Sequence, residues 1–185
     1  TKVGAPLPRY QLPPKELRDA THAAARKLLA DRDDLWLAYA LAYYAGMAAA
    51  DIAAARWDWI GADGTVAYER VKTGKRATPR LPEDVLAALA SWRENERMMG
   101  RDREHILPGT ERQRWDLVQV LLAGWMRGMG WTTGKCAHEL RKLAGSQWAT
   151  QCGFHWAAKW LGDSIAVTEW FYADLVPELA PVAKM

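Results

Sequence analysis

The stretch HELRKLAG, residues 138–145, sets His138 three residues before Arg141, with Lys142 directly after it. Residues three apart on a helix share a face, so both side chains can act on one ligand atom. An arginine fork in such a pair suits a phosphate. The plainer alternatives are a core histidine bonded to a backbone carbonyl and two surface charges near a helix end. A second basic group lies in KTGKR, where Lys72, Lys75 and Arg76 surround Gly74. Any exposed hairpin tip carries residues of this kind. His105 and His155 gain no role.

The elements that position these residues read as mostly helical. TKVGAPLPRYQLPPKEL is rich in proline, so residues 1–13 read as a linker or lead-in and residues 14–185 as one domain. KELRDATHAAARKLLA puts Leu17, Ala20, Ala24, Leu28 and Leu29 on one stripe. After DRDD, with Asp34 as a cap, LWLAYALAYYAG is apolar nearly all round and is expected in the core, ending at Gly46. AAADIAAARW is a third helix. The period then changes to alternation at Val66, Tyr68 and Arg70, which predicts a hairpin with Gly74 in its turn and a small sheet near residues 57–82. Further helices follow from Pro82 onward, with His138 and Arg141 on the one that starts near Cys136. The fold class is α+β, mainly α with a small antiparallel β-sheet.

Bulk properties narrow the class of function. The 185 residues carry a net charge of +3, and the surplus sits in residues 70–114, with 11 basic and 7 acidic side chains. That fits a polyanion partner, although mixed-charge faces are also common solvated surfaces. No apolar run approaches the roughly 20 residues of a membrane helix, and no signal peptide opens the chain, so a cytoplasmic protein is expected. The first residue is Thr1 rather than Met, as in a piece of a longer protein. Cys136 and Cys152 lack the partners of a zinc site and are read as free buried thiols. The tryptophans at 57, 59, 125, 131, 148, 156, 160 and 170 are expected in the core rather than as base-stacking platforms.

Four segments in order resemble the catalytic domain of tyrosine recombinases, the phage-integrase family. They are LAYYAGMAAADIAAARWDWI, VKTGKRATPRLP, HELRKLAGSQWAT and WLGDSIAVTEWFY. The resemblance implies double-stranded DNA as partner and a 3′-phosphotyrosine intermediate formed by Tyr172. Arg141 is implied as one of two arginines on the non-bridging phosphate oxygens, and His138 supports proton transfer. Lys72 is implied as the acid that protonates the leaving 5′-oxygen, with Lys75, Arg76 and Lys142 as DNA contacts. Neither a metal nor another cofactor is implied, because the covalent link conserves the bond energy. The family also implies a tetramer on paired DNA sites, held through the tail after Tyr172, and an N-terminal DNA-clamping domain that this chain lacks.

Two positions depart from the family pattern. The first arginine of the pattern falls on Ala48, fixed by Gly46 before it and Asp51 after it, and Arg56 comes eight residues too late. The histidine of the later LGHS motif is Asp163. Removal of one preorganised transition-state donor costs roughly 10²–10³ in rate. A carboxylate beside a phosphate opposes binding as well. The sequence therefore predicts a DNA-binding integrase-like domain with an impaired, degenerate site. The alternatives are an active recombinase with a variant site, and a non-catalytic DNA-binding or protein-interaction module.

Overall fold

The computed structural model describes residues 12–173. Helix α1 (Lys15–Asp31) begins at Pro14 and packs on α2 (Asp33–Tyr43). Every residue of α2 from Leu35 to Ala42 is buried, as its apolar circumference requires. This helix is the axis of the core, and it contacts α1, α7 (Cys136–Cys152) and the helical run over residues 111–128. That run is α5 (Glu111–Asp116), a π-helical segment (Leu117–Leu122) and α6 (Ala123–Gly128). Thr110 and Gln113 close a reciprocal capping box at its start.

Asp34 does not cap α2 from outside; it lies in the first turn, paired with Arg32 at 3.0 Å. The helix also stops at Tyr43, short of Gly46. Gly46 takes φ +58, and a Cβ there would meet the Trp148 ring at 3.0 Å. Only glycine combines that backbone angle with that approach. The turn leads into α3 (Ala49–Ala54), which carries Asp51, and a 3₁₀ turn follows at Trp57–Trp59.

The expected hairpin is present but short. Strands β1 (Tyr68–Glu69) and β2 (Arg76–Ala77) pair antiparallel, Tyr68 opposite Ala77 and Glu69 opposite Arg76. Isolated bridges join Ile60 to Val66 and Thr65 to Arg80, so pairing spans the predicted segment without long strands. Gly74 sits in the turn at φ +64. Helix α4 (Glu83–Met98) then leaves from Pro82. At the other end, α7 packs on α8 (Phe154–Leu161), and α8 on both β2 and α9 (Ile165–Tyr172).

Two burial expectations are corrected. Cys136 is buried, but Cys152 is exposed, because it ends α7 just before Gly153. Trp57 and Trp131 are core residues, whereas Trp156 and Trp170 lie open on α8 and α9. Among the described residues no helix is long and apolar enough to cross a membrane.

Candidate active site

Helix α7 carries His138, Arg141 and Lys142 in its first half. The helix buries Leu140, Leu143 and Ala144 against the core, and Arg141, between them in sequence, is carried inward too. It is buried and gives three hydrogen bonds. Nη1 donates to the Gly46 carbonyl at 2.5 Å, and Nη2 donates to the Leu161 carbonyl at 2.8 Å and to Asp163 Oδ2 at 2.9 Å. This arginine therefore ties the α2–α3 turn to the α8–α9 turn. His138, three residues earlier, is exposed. Desolvation of its inner side, and then the Lys142 ammonium, hold its imidazole below the usual histidine value. The two share a helix face at different depths.

Asp163 follows Gly162, which takes φ +66 where a Cβ would meet Arg70 Cδ at 2.9 Å and the Arg76 carbonyl at 3.1 Å. The tight turn brings the Asp163 carboxylate between two arginines. Its Oδ2 accepts from Arg141, and its Oδ1 accepts from Arg70 Nη1 at 2.5 Å. Arg70 stands just after β1, and the same Nη1 also donates to the Gly162 carbonyl at 3.2 Å.

Arg70 is the residue that reading the sequence missed. Its signal was present: two acids expected close to Arg141, Asp51 and Asp163, require a counter-cation, and Arg70 directly precedes the basic turn. Asp51, buried in the first turn of α3, accepts the Val71 N–H at 2.8 Å and faces Arg70 Nε at 3.8 Å. The latter distance is an ion pair without a hydrogen bond. The Tyr68 hydroxyl is buried beside these groups, near Arg141 but short of hydrogen-bond geometry, and burial raises its pKa.

Ala48 forms the N-cap position of α3 and offers no side-chain donor. Arg56 does not replace it, since its guanidinium pairs with Asp58 and Glu104. Tyr172 ends α9 and is buried with its ring against Gly145, one turn beyond Arg141. A Cβ on Gly145 would meet the ring and its hydroxyl at 2.7 Å, so glycine is what admits the tyrosine. Burial pushes the Tyr172 phenol up to about 12, with the Arg141 charge opposing the shift.

The structure thus brings Arg141, Asp163 and Tyr172 into one neighbourhood. Lys72, Lys75 and Arg76 are exposed on the hairpin, away from the core. Lys142 lies half-buried, 3.3 Å from Glu139 Oε1. A cavity of about 690 Å³ between α3 and α5, lined by Ala50, Val71 and Trp115 among others, contains none of the residues singled out for chemistry. Among the described residues no group of three or more His, Cys, Asp or Glu is placed to hold a metal.

No family model matches the chain, and no curated protein does. Solved structures do match its fold. The XerA recombinase superposes with a TM-score of 0.71 at 14% identity, over 98% of this chain and 67% of that one. A lambda integrase dimer bound to a COC′ core site gives 0.66 at 20% identity, over 100% of this chain and 66% of that one. The lambda integrase catalytic core gives 0.56 at 22% identity, over 83% and 91%. The chain is therefore built like the catalytic domains of tyrosine recombinases, and it spans about two thirds of the length of the first two.

Proposed function

We propose that this chain is a DNA-binding domain of the tyrosine-recombinase type in which strand cleavage is impaired. One observation carries the second half of that reading: Arg141 already gives three hydrogen bonds, to Gly46, Leu161 and Asp163, and its Nη2 is fully used by the last two. A phosphate in this position has to compete with a carboxylate already bound in the interior. Ala48 adds no replacement donor, and burial pushes the Tyr172 phenol up to about 12, which makes its phenolate harder to form than that of an ordinary tyrosine. The DNA-binding half is supported by the fold, since lambda integrase is solved on its core site, and by the exposed Lys72, Lys75 and Arg76. Backbone phosphates are met by such cations irrespective of sequence. Assembly into a tetramer through the segment after Tyr172 belongs to the same proposal; residues 174–185 lie outside the described structure.

The test is equilibrium binding of the native chain to duplex DNA across a salt series, with a denaturing gel on the same samples. Affinity is expected to fall steeply with salt, with no covalent adduct on the gel. Binding that is absent at low salt removes the DNA-binding half, and an adduct through Tyr172 removes the impaired half.

A further inference from the structure

Arg70 and Arg141 approach Asp163 in matching ways from opposite elements. Each uses one terminal nitrogen with two hydrogens. Arg141 Nη2 gives one to the Leu161 carbonyl at 2.8 Å and one to Asp163 Oδ2 at 2.9 Å. Arg70 Nη1 gives one to the Gly162 carbonyl at 3.2 Å and one to Asp163 Oδ1 at 2.5 Å. Consecutive backbone carbonyls of the α8–α9 turn thus hold both guanidiniums, and each carboxylate oxygen takes one arginine. A phosphate or phosphodiester offers the same pair: two anionic oxygens on one central atom, suited to two guanidinium donors.

We propose that Arg70 and Arg141 form a two-arginine anion site and that Asp163 occupies it as an intramolecular stand-in for phosphate. Arg70, reaching in from the hairpin, supplies the second guanidinium that Ala48 does not. The site is anchored without Asp163: Arg141 keeps Gly46 and Leu161, and Arg70 keeps Gly162 and its ion pair to Asp51. Two further features favour an anion there. The side chain of Asp163 is 22% exposed while those of Arg141 and Arg70 are 5% and 12% exposed, so the carboxylate is the member of the trio that faces the solvent. Asp163 also directly precedes Ser164, the N-cap of α9, where the helix dipole adds a favourable field. With Asp163 in place the site is closed to external anions. Neutralising that one side chain opens it.

This inference rests on the proposed function only in taking a DNA phosphate as the natural occupant. Its test uses inorganic phosphate and the whole chain. Native protein, Asp163→Asn, and Asp163→Asn with Arg70→Gln are melted at increasing phosphate and constant ionic strength. The native chain serves as the baseline for the general stabilising effect of phosphate. The expected result is a saturable additional rise in Tm for Asp163→Asn, on the order of 2–4 °C, that the Arg70→Gln change removes. The ³¹P line of phosphate broadens with Asp163→Asn and not with the native chain. A folded Asp163→Asn with no response beyond the native baseline overturns the proposal, as does a response that survives Arg70→Gln. Asp163→His is the second variant. If both variants fold only with phosphate present, the proposal is supported. If neither folds with or without it, Asp163 is a strut and the proposal falls. Absence of duplex binding by the native chain, beside an opened phosphate site in Asp163→Asn, sinks the proposed function and leaves this inference standing.

Discussion

The turn between α8 and α9 and the tip of the β1–β2 hairpin both carry residues with recombinase-like spacing, yet they are opposite kinds of place. At the turn, Arg141 and Arg70 are both paired with Asp163, and Arg141 is buried among backbone carbonyls. At the tip, Lys72, Lys75 and Arg76 are exposed. A buried ion pair is strongly coupled to the fold, because removing one partner leaves the other desolvated and unpaired. An exposed cation is coupled to what approaches from outside and hardly to the fold. The same motif logic therefore marks structural glue in one region and solvent-exposed cations in the other.

The largest effect expected from that contrast is on stability. Arg141→Ala strips the donor from Asp163 Oδ2 and from the buried Gly46 and Leu161 carbonyls, leaving Arg70 as the carboxylate's one arginine partner, and is expected to cost about 3–5 kcal/mol in denaturant unfolding. A cost under about 1 kcal/mol would place Arg141 with the exposed cations. Next comes Gly145→Ala, which sets a methyl group 2.7 Å from the Tyr172 ring and is expected to cost about 1–3 kcal/mol through overpacking. A change in the near-ultraviolet tyrosine signal should accompany it, and unchanged spectra with unchanged stability would contradict the packing.

Lys72→Ala with Lys75→Ala should behave in the reverse way. Stability should stay within about 0.5 kcal/mol, while the slope of log affinity for duplex DNA against log salt falls by about 1 for each phosphate no longer neutralised. An unchanged slope would separate the hairpin from the DNA surface.

The smallest effect is the response to pH at His138. Its folded pKa lies below the ordinary histidine value, so the folded state favours the neutral ring. The associated stability is present above the unfolded value of about 6.5 and is lost as pH falls through the lower folded value. His138→Gln should flatten that part of the stability–pH curve, which a pH series of denaturant melts would read.

What the sequence made legible follows from which interactions are local. The buried circumference of α2, the departure of α4 at Pro82 and the Gly74 turn depend on nearest neighbours, and each stands where periodicity and turn chemistry place it. Helix ends were less legible. Past the stop at Tyr43, the Trp148 ring packs close against Gly46, an approach between residues about a hundred apart in the chain. The partners of Asp163 were not legible for the same reason. Taken alone, an aspartate in place of a histidine reads as a repulsive charge beside a phosphate. Arg70, 93 positions away, reverses that reading, because the carboxylate is neutralised inside the fold. The exposed Trp156 and Trp170 belong with it: helical spacing shows which residues share a face, and not whether a neighbour exists to cover that face.

The central claim, that this fold has kept its DNA-facing surface without an open phosphate clamp, is tested most directly by covalent trapping on nicked duplexes. The native chain is compared with an Ala48→Arg, Asp163→His double variant, with Tyr172→Phe as the blank. No adduct is expected from the native chain, and a Tyr172-dependent adduct is expected from the double variant. An adduct of equal yield from the native chain would contradict the claim, and would show that Asp163 yields the clamp to DNA without any change in sequence.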